Sequence, residues 1–231
     1  MHNYVLFIDT ETSGLPKKWD QPFSNNANWP YAVQVSWLVY TKEGDYVKEE
    51  NHFVGNDDFS ITNDATRIHG ISKSYLQENG VDRKDIYKLL ANDVAHYQPL
   101  VVGHYIKLDM QVIGADCYRL GVEHPLVNQL CFCTMMVTSK SSINPYPRCL
   151  NLPALYSTLF KTELPNHHNA LDDARATAEC FFKLLNRECI TETTIEQKSK
   201  HITEPKKETR KFGCAFILIT ILFVLIIVAQ A

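Results

Sequence analysis

Apolar and polar positions alternate in blocks along the chain. Tyr4–Asp9 is a short apolar run that ends in an acid, which predicts a strand. Ala32–Tyr40 and Tyr46–Val54 are rich in Val, Tyr and Trp and are separated by KEGD, which predicts a β-hairpin. Asp82–Tyr97 places Ile86, Leu89, Leu90, Val94 and Tyr97 at helical spacing. Leu100–Gly103 predicts another short strand. Ile106–Leu120 predicts a helix with Ile106, Met110, Ile113, Cys117 and Leu120 on one stripe. Leu130–Cys133 predicts a further strand and Leu152–Phe160 a helix. Asn169–Leu185 predicts a long helix that turns Leu171, Ala174, Ala178, Phe181, Phe182 and Leu185 inward. Three strands followed by strands alternating with helices predict one α/β domain with a mixed sheet over residues 1–190.

The pattern changes after residue 190. Residues 191–211 hold six Lys/Arg, four Glu and two aliphatics, Ile195 and Ile202. Too little apolar surface is available there for a core, so this stretch is expected to be a polar linker. Residues 212–229 read FGCAFILITILFVLIIVA, without a charge. A helix of that length spans about 27 Å, close to the hydrocarbon thickness of a thin bilayer. Lys206, Lys207, Arg210 and Lys211 precede it, and positive flanks favour the cytoplasmic side. The expectation is a single-pass C-terminal tail anchor with the α/β domain in the cytoplasm. Met1-His2 leads directly into VLFID, too short for a signal-peptide core.

Composition adds exclusions. A chain of 231 residues with 45% hydrophobic and 21% charged side chains is neither disordered nor collagen-like. A net charge of −3 excludes a broad basic coat for nonspecific nucleic-acid packing. Seven cysteines without a C-x-x-C pair signal neither a zinc knuckle nor a disulfide framework, and fit free thiols in a reducing compartment.

The candidate chemistry lies in three places. Asp9 and Glu11 end the first strand in FIDTETSGLP, and residues two apart on a strand share a face. Such a pair can hold a hard cation or can simply be solvated. Asp109 falls on the apolar stripe of its own helix, where a carboxylate needs a partner: a metal, Lys107 or a backbone amide. His168 and Asp173 open the last predicted helix, where Asp172 and Asp173 also suit the helix dipole and His167 is an alternative to His168.

Taken together, DTETSGLP, GHYIKLDM and HNALDDA, with ATRIHGIS and RCLNLPALYSTLF between them, resemble the DEDDh 3′-to-5′ exonucleases. These form the DnaQ-like group of the RNase H-like fold, and the resemblance spans residues 3–187. It implies that Asp9, Glu11, Asp109 and Asp173 bind two Mg2+ ions, with Mn2+ able to substitute, and that His168 is the general base. His168 fits the four-residue gap to Asp173, whereas His167 does not. The family pattern also implies substrate contacts at Thr12, Leu15 and His69. Where the second motif usually has Asn after Gly-His, this chain has Tyr105, which affects local geometry or substrate preference. Trp19, Trp29 and Tyr105 could stack on single-stranded bases or pack in the core.

The implied reaction is phosphodiester hydrolysis at a nucleic-acid 3′ end, single-stranded and with DNA favoured, releasing nucleoside monophosphates. Three alternatives stay open. They are an RNA or oligoribonucleotide exonuclease, a membrane-tethered binding module with a weak site, and a proofreading subunit. A DnaQ-like domain followed by a membrane segment resembles the arrangement of Trex-type exonucleases. Homodimers are common among such relatives.

Overall fold

In a computed structural model of the protein, residues 2–55 and 59–205 are described. Strand β1 (Tyr4–Thr12) is the middle of a five-stranded sheet with β2 (Ala32–Thr41), β3 (Tyr46–Phe53), β4 (Leu100–Gly103) and β5 (Cys131–Cys133), in the order β3-β2-β1-β4-β5. It runs antiparallel to β2 and parallel to β4. A central strand is covered on both faces, and this explains the unbroken run Val5-Leu6-Phe7-Ile8. Leu6 and Ile8 pack with Trp37, Ile86, Leu90 and Met110 on one side. Val5 and Phe7 pack with Phe132, Leu155, Phe181 and Leu184 on the other.

Helices α3 (Arg83–Tyr97) and α4 (Lys107–Leu120) cover the first face. Helices α5 (Leu152–Phe160), α6 (Ala170–Asn186) and α7 (Glu192–Lys198) cover the second. Two short helices, α1 (Asn63–His69) and α2 (Lys73–Asn79), stand between the hairpin and α3. They were not expected from periodicity. Side chains of Thr62 and Ser72 cap their N-termini, and only Ala65 and Leu76 are buried.

The stretch expected to be a polar linker is folded as far as residue 205. Thr191 caps α7, and Ile195 is 3% exposed in the second cluster. Cys131 and Lys200 exchange two backbone hydrogen bonds of 3.0 Å, so the strap satisfies the open edge of β5. Gln111 Nε2 then donates to Thr203 O at 3.0 Å, and Phe23 N–H donates to the Glu204 carboxylate at 2.8 Å. Backbone and side-chain partners on the domain replace the apolar surface the segment lacks. No helix among the described residues is long and apolar enough to cross a membrane. The expected span 212–229 lies outside the described residues.

Candidate active site

Phe7 lies opposite Val102, so the C-terminal ends of β1 and β4 open on one edge of the sheet. In open α/β sheets that edge is where ligands bind. Asp9 and Glu11 end β1, and the segment from Gly103 to Asp109 turns from β4 into α4. That turn is tight. A Cβ on Gly103 would lie 2.7 Å from Ile106 Cδ1, which only glycine avoids. Asp109 comes in the first turn of α4, 3% exposed, and accepts a 2.8 Å hydrogen bond from the Thr10 hydroxyl. The backbone amides of Thr10 and Asp109 support it too, while the Lys107 ammonium lies 5.0 Å from the Trp19 ring centroid.

The third group arrives from α6. Gln34, fully buried in β2 and paired with Glu11 across the strands, accepts from Ala170 N–H at 3.1 Å. Its amide donates to Asn51 Oδ1 at 2.8 Å and to Asn169 Oδ1 at 3.3 Å. Asn169 caps α6 through Leu171 N–H. The start of α6 is thus tied to the strand beside Glu11, which brings Asp173 to the acids of β1. His168 N–H donates to Asp173 Oδ2 at 3.1 Å. His168 adopts a left-handed φ of 69°, a conformation that non-glycine residues hold mainly where the surroundings demand it.

One ligand atom each from Glu11, His168 and Asp173 falls within a cluster 4.8 Å across. The four acids act on one another's ionisation. Burial, then repulsion from Asp109, Asp173 and Glu11, raises Asp9 well above the usual carboxylate range. Burial, then Asp173 and Asp109, pushes Glu11 up to about 8. Burial raises Asp109 to about 7 against the pull of its Thr10 bond, and raises Asp173 to about 6 against its His168 bond. Asp173 Oδ1 is buried without a hydrogen-bond partner. Crowded carboxylates with one orphaned buried oxygen fit a hard divalent cation, which favours oxygen ligands.

The sequence model of the exonuclease family RNase_T matches residues 6–181. The chain belongs to the RNase T exonuclease family. A comparison with curated protein sequences finds no match. Among solved structures, exonuclease I from Methylocaldum szegediense is similar at 17% identity and TM-score 0.63, covering 80% of this chain and 41% of that one. The zinc-bound E. coli exonuclease I–ssDNA complex is similar at 16% identity and TM-score 0.63, covering 85% of this chain and 42% of the other. The nuclease domain of 3′hExo, a DEDDh family member bound to rAMP, is similar at 11% identity and TM-score 0.65, covering 81% and 94%. This chain spans about two fifths of the length of the exonuclease I chains. At these identities the likeness shows a shared fold, the RNase H-like mixed sheet.

Around this RNase T-family site, the remaining expected residues take distinct places. The Thr12 hydroxyl donates to Gly14 O at 2.6 Å, and Leu15 is 76% exposed beside it. His69 Nδ1 accepts from Ile71 N–H at 3.0 Å, which makes Nε2–H the donor to Thr12 O at 3.2 Å. Both ring nitrogens of His69 are engaged by backbone. Trp29 is 2% exposed with its indole N–H on the Gln21 and Pro22 carbonyls, which removes it as a stacking surface. Thr10 and Gln34 carry weight that motif reading missed. A lone Gln inside AVQVSWLVY was the available signal, because a polar side chain in an apolar strand needs a partner.

Proposed function

We propose that this chain is a metal-dependent 3′-to-5′ exonuclease that removes nucleoside monophosphates from single-stranded 3′ ends, with DNA favoured. The observation that carries the reading is the convergence of acids from β1, α4 and α6, with His168, at one sheet edge. Asp9, Glu11 and Asp173 would hold one Mg2+ or Mn2+, and Asp9 with Asp109 a second. Bound divalent ions supply charge stabilisation for phosphoryl oxygens and a lowered pKa for water.

The protein's own contribution is proton handling and orientation. Desolvation and the neighbouring His167 ring hold the His168 imidazole below its usual range, so it is neutral near pH 7 and can accept the proton of the attacking water. Its backbone bond to Asp173 fixes that base against the acid cluster. The segment Thr12–Gly14 is pinned for the terminal nucleotide. Ser13 N–H donates to Tyr31 O at 2.8 Å, and Ser13 Oγ accepts from Tyr31 N–H at 2.9 Å. Leu15 then stands beside a rigid backbone as an apolar surface for the last base.

The test is digestion of 3′-labelled single-stranded DNA, duplex DNA and RNA by the full chain in detergent. Mononucleotide release should require Mg2+ or Mn2+ and vanish with Asp9→Ala. His168→Ala should slow it about 10²–10⁴-fold, and His167→Ala only a few-fold. Release that survives both chelator and Asp9→Ala refutes the reading. Faster digestion of RNA than of matched DNA replaces the DNA preference with an exoribonuclease. We also infer a C-terminal anchor over 212–229, supported by its sequence alone.

A further inference from the structure

One fully buried acid stands outside the acid cluster. Asp116 lies about two turns after Asp109 on α4, so the two share a helix face. Asp116 Oδ2 accepts from Ala32 N–H at 3.1 Å and from the Tyr87 hydroxyl at 2.9 Å, and Oδ1 accepts from Arg119 Nη1 at 2.6 Å. Arg83 Nε is 3.7 Å from Oδ2. Arg119 also donates to Trp29 O and to Pro30 O, and its guanidinium lies 3.8 Å from the centroid of the Tyr31 ring. Backbone groups of Trp29, Pro30 and Ala32 therefore all end on the Asp116–Arg119 pair.

That run of chain lies against the end of β1. Glu11 pairs with Gln34 but Thr12 pairs with Ala32, so Val33 is the extra residue of a β-bulge beside Glu11. A bulge bends its strand and re-aims the side chains next to it. Here Val33 O accepts from Val54 N–H at 2.9 Å while Ala32 N–H goes to Asp116, so both groups are satisfied away from β1. Side chains alternate along β1: Thr10 turns to α4, where Asp109 accepts its hydroxyl, and Glu11 turns to the other face, where it meets Asp173 of α6. One face of α4 thus holds the sheet on either side of Glu11, at Thr10 through Asp109 and at Ala32, the partner of Thr12, through Asp116. We propose that Asp116 and Arg119 are positioning residues, which fix the β2 bulge so that the Glu11 carboxylate is aimed into the cation site. The proposal rests on the cation site of the exonuclease reading and deepens it. A buried ion pair adds little net stability over packed apolar side chains, so the effect of this one is read at Glu11.

The test measures Mn2+ affinity directly, from the paramagnetic signal of the free ion, on the full chain in detergent and well below each variant's thermal midpoint. Asp116→Ala should weaken Mn2+ binding about tenfold. Asp116→Asn keeps an acceptor for Ala32 N–H and should recover most of that loss. Arg119→Lys keeps a charge beside Asp116 but replaces the planar fork that reaches Trp29 O and Pro30 O together, and should weaken binding about threefold. It carries the test if Asp116→Ala does not fold. Ile195→Ala, a truncation of a buried side chain on α7, should lower the midpoint and leave Mn2+ affinity within about twofold of wild type. Folded Asp116 and Arg119 variants that bind Mn2+ as the wild type does, or an Ile195→Ala loss as large as theirs, overturn the positioning role. The two readings fail separately. A wild-type chain that binds Mn2+ with this variant pattern yet releases no nucleotide refutes the nuclease and leaves the positioning standing. A chain that cleaves while these variants bind Mn2+ unchanged does the reverse, and a wild type that binds no Mn2+ overturns both.

Discussion

The carboxyl groups at the sheet edge are held together against their own repulsion. Glu11, Asp109 and Asp173, pushed to about 8, 7 and 6, keep protons in the folded chain at pH values where the unfolded chain has released them. Folding without metal therefore takes up protons. The resulting stability is full below the unfolded carboxyl range near pH 4 and is lost as pH rises through about 6 to 8. In chelator, the thermal midpoint of the full chain should fall between pH 5.5 and 8.5. Mg2+ should raise it more at pH 8 than at pH 6, because metal and protons compete for the same oxygens. A metal-free midpoint that climbs over that interval, or an equal Mg2+ increment at both pH values, would show that these acids do not share a cation site. Thr10 moderates the effect at one position only, since its hydroxyl supports the charged form of Asp109.

Single residues reach the site only because whole elements are anchored, and Asp173 depends on how the start of α6 is anchored. It docks on the sheet through the Gln34 amide, with Asn51 behind it and Ser36 Oγ donating to the same Asn51 oxygen at 2.8 Å, and through the Arg175–Glu49 ion pair at 3.0 Å. Gln34→Leu keeps the volume but leaves the buried Ala170 N–H without its acceptor, while the exposed Asn51 keeps the Ser36 hydroxyl. The cost is about 1–3 kcal/mol, or roughly 5 °C in a domain of this size. The kinetic signature should be a fall in kcat and in Mg2+ affinity with KM for the strand nearly unchanged, because His168 and Asp173 move together. Gln34→Glu retains the acceptor for Ala170 and should recover part of kcat. A variant with lowered midpoint but wild-type kcat would reduce Gln34 to a packing role.

The same scale shows what was legible in the sequence. The hairpin was readable because KEGD closes it, with Gly44 at φ 99° and Thr41 N–H on Asp45 O. Helices α3, α4 and α6 were readable because each buries a stripe of several residues. Helices α1, α2 and α7 each bury one residue, Ala65, Leu76 and Ile195, so no period existed to detect. The acids stood in recognisable motifs. Gln34 and Thr10 act through contacts 136 and 99 positions away in sequence, which no local pattern contains.

For the molecule as a whole, the folded strap shortens the connection to the predicted anchor. The domain was expected to end near residue 190, with a polar linker over 191–211; packed chain continues to Pro205, and six residues separate it from Phe212. Fully extended, six residues reach about 20 Å. Four of them are Lys or Arg, which anionic lipid headgroups attract by about 1 kcal/mol each. If residues 212–229 enter a bilayer, Pro205 lies within that reach of its surface. The premise is open to direct test. Leu222→Arg with Leu225→Arg places two charges near the middle of the span, each opposing insertion by about 2.5–3.5 kcal/mol on the insertion scale. The double variant should leave the carbonate-resistant membrane fraction for the supernatant and still release mononucleotides, since neither residue belongs to the described domain. Retention in the membrane fraction would mean that a part of the chain other than this span holds it there.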